Sequence, residues 1–142
     1  MIKNKKAYYN FAVEKDYLAG MVLTGSEVKS LRNKDVDFSD SYIIIKDGEV
    51  WLKGMRIAPY KNASFQNHAD HRDRKLLLNR YEIERLQKSM DKKGITVIPL
   101  EILIVKNRFK IKIGVCKGKR QYDKRQDIKK KDIERQEMRK FK

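Results

Sequence analysis

The chain has 142 residues, with 35 Lys and Arg against 19 Asp and Glu, which gives a formal net charge of +16 at pH 7. This length fits one domain, and a single cysteine, Cys116, excludes intramolecular disulfides and a cysteine-based zinc site. No apolar run approaches the roughly 20 residues that span a bilayer, so we expect a soluble, cytoplasmic protein with no membrane contact.

The positive charge is densest at the C-terminus. Residues 117–142 contain twelve Lys and Arg against five Asp and Glu, and apolar residues are scarce there. We therefore divide the chain into a folded domain, 1–116, and a basic tail, 117–142. The few apolar residues of the tail form no stripe on a helical wheel. We expect the tail to be disordered alone and to become helical when a polyanion neutralises it. The strong positive electrostatic potential of this tail favours a nucleic acid as partner, because a nucleic acid releases its bound counterions when its phosphates are neutralised.

The N-terminal segment is predicted to form a hairpin followed by a short helix. Residues 7–13 and 17–23 are rich in aromatic and branched side chains, and the polar residues 14–16 between them are typical of a turn. Over residues 26–32 the apolar side chains stand three apart, which predicts a helix capped by Ser26.

A second hairpin is predicted around Asp47-Gly48, which separates two apolar runs, 41–46 and 49–53. The polar segment 58–74 follows without any hydrophobic period, and we interpret it as a long loop. Residues 75–78 contain a short apolar run that predicts a buried strand or a lead-in to the next element.

Near-helical spacing of apolar residues then predicts a helix over 81–90, which basic residues and Gly94 close. Residues 95–105 and 109–115 predict two further strands joined by a tight turn at Lys106-Asn107. The last strand alternates between an apolar face and a cationic face. The cationic face consists of Arg108, Lys110 and Lys112.

Six or more short strands with two to three small helices predict a mainly β fold. We expect a closed antiparallel β-barrel of OB-fold-like topology, the type that binds oligonucleotides. The alternative is an open α+β sandwich.

No pattern in the sequence argues for an enzyme. His68 and His71 lie in a polar loop, and a catalytic zinc needs three protein ligands, so we favour a solvated loop and expect no metal and no cofactor. Cys116 precedes a basic cluster that could lower its pKa, but no base is nearby and a packing role is favoured. For Glu27, a place in the first turn of a helix is favoured over an acid–base pair with Lys29. Phosphate-binding glycine loops are absent.

The most informative segment is 117–125, which reads KGKRQYDKR. Its five cations can meet phosphates, and Tyr122 offers a flat ring for stacking on an unpaired base. By itself this composition indicates only that the chain binds RNA or DNA.

Together with other blocks, this segment resembles the bacterial SsrA-binding protein (SmpB) family over nearly the whole chain. The blocks occur in a fixed order, which makes the resemblance specific. They are Asn4-Lys5-Lys6-Ala7, Ala19-Gly20, 25–32, Asp40-Ser41-Tyr42, 74–78, Lys112-Ile113-Gly114 and 118–125.

The resemblance implies a role in trans-translation. It implies that an OB-like barrel binds the tRNA-like domain of transfer-messenger RNA (tmRNA) and supports its delivery to stalled ribosomes. The protein would be linked to the elongation factor and its GTP only indirectly, through the RNA. The basic tail would enter the decoding centre and the empty mRNA channel, beside small-subunit rRNA. We expect a monomer.

Residue roles follow only where this chain matches the family. The resemblance assigns tmRNA binding to Asn4, Lys29, Arg32, Leu77, Asn79 and Lys110. It assigns contacts in the decoding centre and mRNA channel to Lys117, Lys119, Arg120, Tyr122, Asp123, Lys124 and Arg125.

Two positions depart from the family pattern. Many members have an acidic residue where this chain has Leu18, so no RNA contact is transferred there. Others have His in place of Tyr122; either ring can stack, but only His could carry a charge. The alternative function is a generic ribosome-associated or nucleoid module that binds RNA or DNA, and a small nuclease is a more distant one.

Overall fold

The computed structural model describes residues 2–59 and 69–118, which form nine strands and three helices. The strands are β1 (Ile2–Lys3), β2 (Phe11–Met21), β3 (Val36–Asp37), β4 (Tyr42–Lys46), β5 (Glu49–Lys53), β6 (Arg56–Ile57), β7 (Arg74–Leu77), β8 (Ile95–Val105) and β9 (Arg108–Gly118). The helices are α1 (Lys5–Asn10), α2 (Gly25–Arg32) and α3 (Arg80–Met90).

Seven strands form one antiparallel sheet in the order β1-β8-β9-β2-β7-β5-β4, and β3 pairs separately with β6. The mainly β class is therefore confirmed. The strands of the described ranges do not form a fully hydrogen-bonded barrel, because β1 and β4 remain its two edges. Strand β4 nevertheless lies close to β8. Strand β1 is only two residues long and pairs with β8. At the other edge, β4 pairs with β5, and no other strand of the described ranges pairs with it.

The main core lies on the face of the sheet to which alternate residues of β9 point. Ile111, Ile113 and Val115 are buried there, as the period-2 pattern predicted. Helices α2 and α3 cover this face with Leu31 and Leu86. The two helices thus contribute their apolar sides to the same core as the sheet.

A smaller apolar cluster lies on the opposite face, under α1. It joins Ala7 of the helix to Ile98, Leu100 and Cys116 of β8 and β9. The cationic face predicted for β9 therefore ends at Lys112, and apolar packing replaces it beyond that point.

Both tight turns are confirmed. Asp47 and Gly48 have φ of 53° and 75°, and the hairpin closes on the pair Lys46 and Glu49. The turn Lys106-Asn107 likewise has positive φ at both residues, 49° and 63°. These values fit two-residue turns whose twist matches that of the flanking strands.

The hairpin predicted over residues 7–23 is wrong. Residues 5–10 form α1, and β2 runs unbroken through the polar residues 14–16. Strand β9 is an equally long partner for β2, and a register shift between Val13 and Lys15 absorbs the polar segment as a bulge. The cap of α2 is also different: it is Thr24, two residues before the predicted Ser26.

The boundary placed after residue 116 cuts a strand. Strand β9 continues to Gly118, which pairs with Phe11, and Lys117 pairs with Ala12. Residues 60–68 of the predicted loop, with His68, and residues 119–142 lie outside the described residues. The division into two domains stays a prediction.

The close approach of Gly114 to Leu100 generates a stability prediction. A Cβ at Gly114 would lie 2.6 Å from Leu100 Cδ1, whereas a Cβ at Gly118 would meet nothing within 4 Å. We expect Gly114→Ala to lower the free energy of unfolding by roughly 1–3 kcal/mol through overpacking. Gly118→Ala is the control and should be close to neutral. Equal stabilities in a denaturant titration would contradict the packing described here.

Candidate nucleic-acid interface

Helix α2 carries two of the predicted RNA-binding residues, Lys29 and Arg32, in its last turn, where both are exposed. A capping box starts the helix: the Glu27 backbone N–H donates to Thr24 Oγ1 at 3.3 Å, and Glu27 Oε1 accepts from the Thr24 backbone N–H at 2.9 Å. Cations in the last turn are favourable because the helix dipole is negative there.

Glu27 is fully buried and sits between two arginines. Its Oε1 accepts hydrogen bonds from Arg72 Nε at 3.1 Å and Nη2 at 2.6 Å, and its Oε2 accepts one from Arg74 Nε. Burial raises the pKa of Glu27, but hydrogen bonds from Arg72, the Thr24 backbone and Arg74 outweigh it and hold the pKa below its usual value. The expected place of Glu27 in the first turn of a helix is confirmed, and these contacts also hold α2 against the rest of the domain.

The outer face of the sheet brings Lys110 and Leu77 together. Both pair with Gly20, Lys110 from β9 and Leu77 from β7. A Cβ at Gly20 would lie 3.2 Å from Leu77 Cβ and 3.6 Å from Lys110 Nζ. Because Gly20 has no side chain, the side chains of Leu77 and Lys110 can approach each other above its backbone. Leu77 is 53% exposed. A cavity of about 250 Å³ lies here, and Val28 of α2 forms part of its lining.

Leu18 extends this surface toward Lys112, with which it pairs across β2 and β9. It is 45% exposed, an unusual fraction for a leucine in a central strand. The outer face therefore combines ammonium groups with exposed apolar side chains. Such a surface suits a ligand that presents both phosphates and sugar or base faces.

The two predicted asparagines are both helix caps. Asn79 Oδ1 accepts from the Glu82 backbone N–H at 2.8 Å and so starts α3, two residues beyond Leu77. Asn4 starts α1 and donates from Nδ2 to the Pro99 carbonyl at 2.8 Å. Each side chain already has a structural partner, and Asn4 lies outside the cavity between Leu77 and Lys110.

A larger cavity of about 900 Å³ lies between α1 and residues 36–42. Asn4 lines it together with Lys3, Lys5 and Lys6. Of these four residues, the family resemblance assigned tmRNA binding to Asn4 alone, because nothing in the local sequence indicates that α1 and residues 36–42 face each other.

Of the predicted ribosomal contacts, only Lys117 belongs to the described residues. It is the penultimate residue of β9, and its Nζ lies 3.3 Å from Glu14 Oε1. The other six residues, Lys119, Arg120, Tyr122, Asp123, Lys124 and Arg125, lie beyond the described ranges.

The packing role favoured for Cys116 is confirmed, because its side chain is buried in the apolar cluster under α1. Burial, with a contribution from Glu14, raises the pKa of the thiol to about 11, so the basic cluster that follows does not lower this pKa. The side chain packs between α1 and the sheet. Within residues 2–59 and 69–118, no group of three or more His, Cys, Asp and Glu is placed to hold a metal ion. None of the helices in these ranges has the length and apolarity to cross a membrane.

Together, the fold and this surface define a basic antiparallel β-domain with an exposed face suited to a polyanion. The model of the SmpB protein family matches residues 1–142, and the chain belongs to this family. The SsrA-binding protein of Treponema denticola is 46% identical over 140 residues, which cover 99% of this chain and 91% of that protein. The SsrA-binding protein of Desulfitobacterium hafniense is 47% identical over 138 residues, 97% of this chain and 88% of that protein.

A solved structure agrees. A chain of the structure described as "tmRNA-SmpB: a journey to the center of the bacterial ribosome" matches with a TM-score of 0.72 and 37% identity. The match covers 89% of this chain and 93% of that chain.

The lowered pKa of Glu27 generates a prediction about acid stability. Because the folded-state pKa lies below the ordinary value of 4.5, the ionised carboxylate stabilises the fold above that pH. We expect this stabilisation to be lost as the pH falls from 4.5 through the lower folded-state pKa. Glu27→Gln should lower the free energy of unfolding at pH 7 by roughly 3–5 kcal/mol, since it leaves the buried Arg74 without its anion. Urea titrations between pH 3 and 7 measure both effects.

Glu84→Gln is the matched control, since Glu84 is exposed and its ion pair is with the exposed Arg80. It should reproduce the wild-type acid profile. A Glu27→Gln variant as stable at pH 7 as wild type would show that the buried pairing contributes nothing.

Proposed function

We propose that this protein is an RNA-binding adaptor of trans-translation. It binds the tRNA-like domain of tmRNA and helps to bring that RNA to stalled ribosomes. The observation that carries the proposal is the surface where Lys110 and Leu77 meet across Gly20, beside the cations of α2, in a member of the SmpB family. The relative solved as tmRNA-SmpB supports the same partners.

The surface suits recognition by shape. Structured RNA is read mostly through its backbone and 2′-hydroxyls, because its deep major groove is closed to side chains. Lys110, Lys29 and Arg32 would bind phosphates from two directions, the sheet and the helix. Leu77 would cover a sugar or an unstacked base. Asn79 and Asn4 would contribute through the helix ends that they cap.

The tail would act by a different mechanism. We propose that residues 117–142 become helical on the ribosome, where rRNA phosphates neutralise their charge. The contacts in the decoding centre and the mRNA channel would come from Lys117, Lys119, Arg120, Tyr122, Asp123, Lys124 and Arg125. When mRNA fills the channel, another polyanion already occupies this place, so the tail tests for an empty channel.

Catalysis is not needed for this role. The protein binds and places an RNA, and the elongation factor with GTP is met through that RNA. We therefore propose a non-enzymatic, monomeric, cytoplasmic protein without a cofactor. We further propose that β4 and β8 approach closely enough for the domain to behave as an OB-like barrel.

The alternative, a generic RNA- or DNA-binding module, draws support from the net charge of +16. The two functions differ in selectivity. An adaptor prefers the tRNA-like fragment of tmRNA over an ordinary tRNA of equal length at the same ionic strength, whereas a generic module binds both equally. A competition assay with labelled fragment distinguishes them.

Lys110→Ala tests the sheet surface. We expect weaker binding of the tRNA-like fragment and a fall of roughly 0.7–0.9 in the slope of log affinity against log salt, because one phosphate contact is lost. Filter binding or fluorescence anisotropy at several salt concentrations gives this slope.

The matched control is Lys46→Ala, which removes the same charge from the exposed end of β4. It should leave the slope unchanged. Equal effects of the two substitutions would mean that only the net charge matters and would overturn the proposed surface.

The tail is tested by replacing Lys119, Arg120, Lys124 and Arg125 with Gln in the full chain. Binding of the isolated tRNA-like fragment should stay within about twofold of wild type, since the folded domain supplies those contacts, while peptide tagging on stalled ribosomes should be lost. A control with four Lys→Gln changes in the folded domain, at Lys46, Lys88, Lys92 and Lys93, should keep tagging. Normal tagging by the tail variant would contradict the proposed division of roles.

A further inference from the structure

We propose that Arg72 is a positioning residue for RNA recognition. It fixes α2 against the sheet, so that Lys29 and Arg32 meet the same RNA as Lys110 and Leu77. This inference rests on the proposed function and names a residue that the sequence patterns did not indicate.

Helix α2 buries little apolar surface against the rest of the domain. It has eight residues, and Leu31 is its single fully buried apolar side chain. The other buried residues are polar, Glu27 and Ser30. A helix this short is not stable by itself in water. Its position on the sheet therefore depends strongly on what holds Glu27.

The guanidinium group of Arg72 forms hydrogen bonds with three parts of the fold: α2, the end of β2 and the start of β7. Its Nε and Nη2 donate to Glu27 Oε1 at the start of α2, and Nη2 also donates to the Val22 carbonyl, 3.0 Å away, just beyond β2. Its Nη1 donates to the Asp73 carbonyl at 3.2 Å, immediately before β7. These are the elements that carry the surface: Arg32 on α2, Gly20 on β2 and Leu77 on β7.

Arg74 has a different place in the same cluster. It is fully buried and donates to the Met55 carbonyl at 2.6 Å and the Asp70 carbonyl at 3.1 Å, as well as to Glu27. Its loss would leave buried acceptors unpaired throughout the core. The Arg72 side chain is 30% exposed, and without it Glu27 still keeps Arg74 and the Thr24 N–H. Arg72 is therefore the partner that can be removed while the fold persists.

The experiment compares Arg72→Gln with Arg56→Gln in the full chain. Arg56 is the matched control, since it is a partly exposed arginine that pairs with Asp70 of the neighbouring turn at 3.2 Å. We expect both variants to stay folded, as measured by circular dichroism and thermal unfolding. Arg72→Gln should weaken binding of the tRNA-like RNA on the order of tenfold, as for residues coupled in one ion-pair network. Arg56→Gln should bind like wild type.

Hydrogen exchange tests the positioning without any RNA. In free Arg72→Gln, the amides of Gly25–Arg32 should exchange faster than in wild type, while those of β8 and β9 should not change. Unchanged exchange in α2 would overturn the proposal.

A double-mutant cycle tests whether Arg72 acts through α2 or touches the RNA itself. If it acts through α2, its effect should largely disappear in a Lys29→Gln, Arg32→Gln background. Fully additive losses would overturn the positioning role. Arg72→Lys should also bind weakly, because lysine keeps the charge but cannot reproduce the planar fork that spans Glu27 and Val22. Full rescue by lysine would likewise overturn it.

The failure of this proposal is distinguishable from failure of the proposed function. A wild-type chain that shows no preference for the tRNA-like RNA contradicts the function. Unaltered exchange in α2 contradicts the role of Arg72, whatever the wild type binds.

Discussion

The pairing of one buried carboxylate with two arginines is the interaction on which the rest of the structure depends. The cost of burying the ionised Glu27 is offset by Arg74, which is buried with it, and by further hydrogen bonds from Arg72 and the Thr24 backbone N–H. The requirement brings α2 and the end of β2 together with the start of β7, which follows them in the chain by more than forty residues. Every cation that α2 presents to a ligand is placed by this contact.

The long strands β8, β9 and β2 provide the rigid body on which that contact acts. One face of these strands packs against α2 and α3, and part of the other packs under α1, so neither face can shift without disturbing an apolar cluster. The exposed remainder of the outer face carries Lys110 and Leu18. Because the strands are held on both faces, these side chains form a preorganised surface, and a bound RNA does not have to order them.

Charge has two different uses in this chain. On the folded domain, cations stand at defined positions beside apolar side chains, an arrangement that favours one shape of polyanion over others. In the tail, cations are dense and apolar residues are scarce, so attraction comes from a positive field and any selectivity has to come from the place into which the tail fits. The proposed adaptor role would give both uses a common purpose, the placing of an RNA on the ribosome.

Local patterns in the sequence by themselves determined the turns at Asp47-Gly48 and Lys106-Asn107, the helices α2 and α3, and the alternation of β9, because each depends on residues close in the chain. The alternation also placed Lys110 on a cationic face, whereas Leu77 was indicated only by the family resemblance. Only the tertiary structure decided that β2 passes through residues 14–16 without a turn, since that depends on a partner strand about a hundred residues away. The tertiary structure also decided that Lys110 and Leu77 meet across Gly20. It likewise placed Arg72 beside Glu27 and buried Cys116, which raises the pKa of its thiol. Burial and strand register arise from contacts between distant segments, which no local pattern contains.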